Sequence, residues 1–237
     1  MILRNLSLAL GNISFLMSIG QPTHMSFYKL SDLMFVSPYF SAMDCVRQLG
    51  KPIYCSSELT SGYRAYQAME TFGAKTTDEL KRKFGDGWFK ETIQVPNEKE
   101  AELFATSVLL EQTDKTPVIN PGPLSVPGWG QNEYLAFWEE LISTRVRAVR
   151  FNKKWEYSSG CTFEFAVAMK ADIPALDVEG KEITLKSAII SIEAAISKLE
   201  AFDTKKLRVN LDRLTKHSIE LRELGTTSKK ILSKLRD

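Results

Sequence analysis

Residues 146–169 constrain the fold of this chain more than any other stretch. Positions 146–151 are apolar and β-rich. They lead into Trp155-Glu156-Tyr157-Ser158-Ser159-Gly160-Cys161-Thr162-Phe163-Glu164, after which Phe163, Ala166, Val167 and Met169 recur at the spacing of one helix face. The pattern predicts a strand, a polar Ser-Ser-Gly turn, and a helix whose first turn carries Glu164. A loop that feeds a helix N-terminus collects backbone N–H groups without intrahelical partners, and these suit a phosphate or another anion. A carboxylate at that point is held in a fixed place beside them.

The rest of the chain supplies companions for this unit. Residues 51–59 read as a strand ending in the polar turn Thr60-Ser61-Gly62. Residues 63–95 read as a helical insertion, with helices at 63–72 and 76–84 and a turn at Gly85-Asp86-Gly87. Pro96-Asn97 opens a helix over 98–112 that buries Ala101, Phe104, Ala105, Val108 and Leu109. A short strand at 116–120 stops at Pro121, and a Gly/Pro-rich loop runs to Gly130. Asn132 caps a helix over 133–143 whose apolar face is Leu135, Trp138, Leu141 and Ile142. Residues 173–177 form a further strand. This alternation predicts an α/β fold with a parallel sheet covered on both faces. Ligands of such sheets sit at the carboxyl ends of the strands, which selects three loops: 56–62, 120–130 and 153–160.

The tail follows another rule. Leu185, Ile189, Ile192, Ile196, Leu199 and Phe202, then Leu207, Leu211, Leu214 and Leu221, recur at three- and four-residue steps. They predict a helical extension over 183–237 that covers the core or joins two copies into a homo-oligomer, a dimer through 183–224, with His217 on its surface. Lys and Arg thicken between 198 and 236, but Glu200, Asp203, Asp212, Glu220 and Glu223 are interleaved, as on a solvated helix face. Over the whole chain 31 basic residues nearly cancel 29 acidic ones, so there is no nucleic-acid footprint.

Two histidines, His24 and His217, are too few and too far apart for a histidine-based zinc site or a Ser-His-Asp triad. The cysteines, Cys45, Cys55 and Cys161, have no CxxC spacing and fit reduced thiols in a cytoplasmic protein. Residues 1–20 are apolar but broken by Asn12 and Ser14, too short for a membrane span, and lack a small-x-small cleavage site. Residues 1–30 are read as a leader, either unstructured or lying upstream of a true start at Met25, with a targeting segment as the other reading. Residues 32–50 are read as a short helix or irregular cap.

In order along the chain stand K-P-I-Y-C-S-S-E-L-T-S-G (51–62), V-I-N-P-G (118–122), Tyr134, Trp138, and W-x-x-S-x-G-x-x-x-E (155–164). This set resembles the nucleoside 2-deoxyribosyltransferase-like superfamily, closest to the branch with Y-I-A-G-P, N-P and W-x-x-S-x-G-x-x-x-E. The match spans 51–180 apart from the insertion. It implies a flavodoxin-like or Rossmann-like domain over 31–182 that cleaves or transfers N-glycosidic bonds of nucleosides or nucleoside 5′-monophosphates, without cofactor or metal. Glu164 matches the family's nucleophile, and Ser158 a serine that accompanies monophosphate substrates. Tyr54 would orient the glutamate or contact the sugar. Ser56, Ser57, Asn120, Trp155, Ser159 and Gly160 fall in the substrate-contacting segments.

Two departures stand out. Ser56-Ser57-Glu58 replaces Ala-Gly-Pro, and Arg147 occupies the place of an aspartate that assists at the sugar or base. An arginine cannot be a general acid at neutral pH, which leaves Glu58 to supply that role or leaves a silent nucleotide-sensing module. Trp129, in the Gly/Pro loop, is the expected base-stacking residue, and Trp138 is expected in the core.

Overall fold

The computed structural model describes residues 51–114 and 116–234, with the side chains of 222 and 224–234 left aside. The leader at 1–30, the helix or cap at 32–50, and with them His24, Met25 and Cys45, lie outside the described residues.

The centre is a four-stranded parallel sheet in the order β2-β1-β3-β4, built from β1 (Ile53–Ser56), β2 (Val118–Ile119), β3 (Ala148–Phe151) and β4 (Ala175–Leu176). Every residue of β1 and β3 is buried, as expected of parallel strands covered on both faces. This is a flavodoxin- or Rossmann-like α/β fold.

Side chains alternate across a strand. Ile53 and Cys55 therefore pack on one face with Phe104, Ala105 and Val108, while Tyr54 joins the main core with Val149, Phe151 and Phe165 on the other. The same parity turns Arg150 away from that core. It donates to Glu111 Oε2 (3.0 Å) and to the carbonyls of Asp177 and Val178 (both 2.9 Å).

Helices α1 (Tyr63–Phe72) and α2 (Thr77–Phe84) follow β1, and the Thr76 side chain caps α2 by accepting from Glu79 N–H. The Gly85-Asp86-Gly87 turn is not found. Instead α3 (Asp86–Phe89) passes through a π-helical turn (Lys90–Gln94) directly into α4 (Val95–Glu111). Pro96 lacks an N–H, and the wider π turn before it accommodates the missing helical bond, so the chain need not break there. Helix α5 (Gln131–Arg145) is capped by Gly130 rather than Asn132: the Glu133 carboxylate accepts from the Gly130 N–H at 2.8 Å.

A 3₁₀ turn (Trp155–Tyr157) leads into α6 (Ser159–Lys170), whose residues from Cys161 to Ala168 are all buried. The tail forms α7 (Leu185–Lys198) and α8 (Lys205–Lys234). It packs on its own domain: Ile192, Ile196, Leu199, Leu207 and Leu214 belong to the main core, and α8 lies along α6. Beyond the docked turns Ile219 and Leu221 are about half exposed, and His217 is half-buried rather than on the surface.

Candidate functional site

Strand parity places Tyr54 and Ser56 on the face that α6 covers, and α6 brings Glu164 over them. The Tyr54 phenol donates to Glu164 Oε1 at 2.6 Å, with both residues buried. The chain leaves β1 toward β2 on one side and β3 on the other, so Glu164 stands at the point where the sheet order reverses, the usual ligand crevice of open α/β sheets.

Burial pushes the Glu164 carboxyl up to about 7, and the hydroxyls of Ser56 and Tyr54 restrain the rise by favouring the charged form. Near neutral pH it therefore exists as both acid and carboxylate. Burial, and then the charge of Glu164, raises the Tyr54 phenol well above its ordinary value, which keeps it a proton donor. Ser56 lies close enough to favour the carboxylate, yet its buried Oγ makes no hydrogen bond of normal geometry. Tyr54 is thus the one firm donor among the described residues. Cys161, one turn before Glu164, is a buried thiol raised by desolvation and by that carboxylate, and does not ionise at neutral pH.

The predicted Ser-Ser-Gly turn is the helix start itself. Ser158 is the N-cap, its Oγ accepting from Cys161 N–H at 3.4 Å. Glu164 consequently sits in the second turn of α6, not the first. With Cys161 and Thr162 N–H both directed to Ser158, the N–H groups of Ser159 and Gly160 lie outside the helix's own bonding pattern. A Cβ at Gly160 would meet only Ser158 Oγ, at 3.8 Å, so the missing side chain leaves open space over these two donors.

A cleft of about 1110 Å³ opens over this helix start, and Ser57, Ser158, Ser159, Gly160 and Glu164 line it. Tyr54 and Ser56 lie behind that lining and act on the cleft through Glu164. The remaining sequence-derived residues are elsewhere. Glu58 Oε2 accepts from the Tyr63 N–H at 2.7 Å and so closes the start of α1. Burial pushes it too up to about 7, against the pull of the backbone N–H groups of Tyr63 and Arg64. Gly62, at φ +115°, is required beneath it, because a Cβ there would collide with the Glu58 carboxylate.

Asn120 Oδ1 accepts from the Gly122 N–H at 3.0 Å and holds the loop after β2. Trp155 is buried and stacks on Phe165, with ring centroids 4.9 Å apart. Trp129 packs edge-on against Tyr134 (5.1 Å) and beside Phe137 (5.4 Å). Trp129 is not among the residues that line the cleft, whereas Trp138, packed against the main core as expected and 5.4 Å from Tyr54, lines it as well. Arg147 is at the amino edge of β3, where it pairs with Asp114 Oδ2 at 3.0 Å, at the opposite end of the strands from Glu164.

Sequence reasoning missed the contribution of α8. Asn210, almost fully buried, donates from Nδ2 to Ser159 O and Thr162 Oγ1, both at 2.9 Å, and so clamps the first turn of α6. Lys205, Lys206 and Arg213 of the same helix line the cleft. A polar Asn between Leu207 and Leu214 on a core-facing stripe was the one available signal. No family model, curated protein or solved structure matches the chain. Among the described residues no cluster of His, Cys, Asp and Glu could hold a metal ion, and no helix is long and apolar enough to cross a membrane.

Proposed function

We propose that the protein cleaves the N-glycosidic bond of a nucleoside or nucleoside 5′-monophosphate, or transfers its sugar, with Glu164 as nucleophile. One observation carries this reading: a desolvated carboxylate, fixed by the Tyr54 phenol, faces a ligand-sized cleft beside a helix N-terminus. A Glu164 oxygen would form an ester bond to the anomeric carbon as the bond to the base nitrogen breaks, the base leaving with the electron pair. Water attacking the same carbon would return the carboxylate and free sugar, and a second base would give transfer instead. Ser158, Ser159 and Gly160 would hold the 5′-phosphate through hydroxyls and backbone N–H groups without charge repulsion.

The test is release of free base from a panel of nucleosides and their 5′-monophosphates. Release that Glu164→Ala abolishes, together with a sugar adduct captured on Glu164 by mass spectrometry, supports the proposal. No release from any member, or undiminished release by the variant, overturns it.

A second reading, a nucleotide sensor without turnover, is favoured by one specific observation. Glu58, the carboxyl expected to protonate a leaving base, is held by the Tyr63 N–H and is not among the residues that line the cleft. Thermal stabilisation by a nucleotide that is recovered intact would select this reading.

A further inference from the structure

At about 1110 Å³ the cleft exceeds the roughly 300–1,000 Å³ of ordinary small-molecule sites, and it is not uniform. Helix α6 packs against both α5 and α8. From α5 the cleft receives Tyr134, Leu135 and Trp138, an aromatic and apolar surface. From α8 it receives Lys205, Lys206 and Arg213, cations only among its charged side chains. Of the acidic side chains apart from Glu164, Asp78 comes from the insertion, together with Lys81, and Glu98 from the start of α4.

The two lysines are costly where they stand. They occupy the first turn of α8, whose dipole disfavours positive charge, and that turn holds no acidic residue. The carboxylate of Asp203, just before the helix, is engaged by the Lys205 N–H at 3.1 Å. Neither lysine makes an ion pair with a described residue. An anion bound in the cleft would be attracted by the helix N-terminus and by both ammonium groups. A second observation points to a ligand independently: Ser57 also lines the cleft, is more than nine-tenths buried, and its Oγ has no hydrogen-bond partner among the described residues. A buried hydroxyl in that state lacks the bond it would otherwise form with water, and rotation about χ1 toward the cleft would let a ligand oxygen supply it.

We propose that the cleft is built for a nucleotide bearing a diphosphate, with the distal phosphate held by Lys205 and Lys206. This rests on the nucleotide reading of the cleft given above and extends it. The proximal phosphate sits over the Ser159 and Gly160 N–H groups, the distal phosphate reaches α8, and the base lies toward Trp138. Asn210 makes the subsite rigid, because its two bonds to Ser159 and Thr162 fix the cationic helix to the helix that carries Glu164.

Calorimetric titration of the full chain with the 5′-mono- and 5′-diphosphates of adenosine, guanosine, cytidine and uridine tests this. For the base that binds, the diphosphate should bind at least tenfold more tightly than the monophosphate. Lys205→Ala/Lys206→Ala, at two exposed positions, should erase that preference by weakening the diphosphate at least tenfold more than the monophosphate. Lys186→Ala/Lys216→Ala removes the same charge away from the cleft and should keep the preference. Equal binding of mono- and diphosphate by the unaltered protein overturns the diphosphate subsite but leaves the nucleotide reading standing. So does loss of the preference in both double variants, which would assign it to net charge. Absence of binding by every nucleotide overturns the nucleotide reading of the cleft and the diphosphate subsite with it.

Discussion

Glu58 and Glu164 are both carboxyls that burial has pushed up to about 7, and they belong to regions doing different work. Glu58 turns back into its own loop, where the Tyr63 N–H at the start of α1 binds it. Glu164 faces the cleft, and its support is a side-chain phenol from a strand 110 residues away. A displaced pKa therefore marks desolvation, which helix closure and catalysis can share. The separating fact is direction: one carboxylate has spent its lone pairs on the backbone, and the other keeps an oxygen for a ligand.

The largest expected effect is on turnover. If the proposed reaction occurs, Glu164→Gln should lower base release by roughly 10⁴-fold, the scale of losing a nucleophile. Glu58→Gln should stay within about threefold. The reverse pattern in steady-state rates would exchange the roles of the two residues.

The next effect is on stability. The Glu164 carboxyl ionises near 4.5 when unfolded and near 7 when folded, so the native state holds its proton over an interval where the unfolded chain has released it. That contribution is complete below about pH 4.5, declines as pH rises, and is gone above about 7. Its full size is about 3 kcal/mol. Urea unfolding at pH 5 and pH 8 should show Glu164→Gln flattening this decline, and an unchanged slope would show that the carboxyl is not desolvated.

Tyr54→Phe comes third. Loss of the phenol removes a donor that favours the carboxylate, so the acidic limb of the kcat/KM profile should move upward from about 7, with a roughly tenfold fall in rate near neutrality. A fall in rate with the limb unmoved would make Tyr54 a packing residue only. The smallest effect is that of Glu58→Ala on folding at pH 5, where the folded-state carboxyl is neutral: losing the acceptor for the Tyr63 N–H should cost about 1 kcal/mol, the ordinary size of losing a helix cap. A negligible change there would mean that α1 closes without it.

Much of this was legible beforehand. The runs 51–59 and 146–151 were readable as buried strands because parallel strands are apolar on both faces. Glu164, Ser57 and Ser158 to Gly160 were placed at the carboxyl edge by resemblance and by the order of the elements. Glu164 was set one turn too early, because a serine that caps a helix and a serine in a turn look alike until the Cys161 N–H is seen to bond it. The cleft edge of Trp138 was not legible for a related reason. Helical spacing shows that Trp138 shares a side with Leu141 and Ile142, but not that Tyr54 and the cleft meet the edge of that side. Arg147 was legible at the start of its strand, and only its pairing with Asp114 needed the tertiary structure.

The sequence by itself determined the strands, the helices and the parity that turns Tyr54 and Ser56 one way and Ile53 and Cys55 the other. These are local matters of period two and period 3.6, written in consecutive residues. Only the tertiary structure decided what the tail does. A stripe of leucines from Leu207 to Leu214 has the same appearance whether it meets a second copy or its own core, since apolar contact carries no address. Docking onto α6 buries that stripe, and the Asn210 bonds, whose geometry is directional, then fix Lys205 and Lys206 at the cleft that holds Glu164.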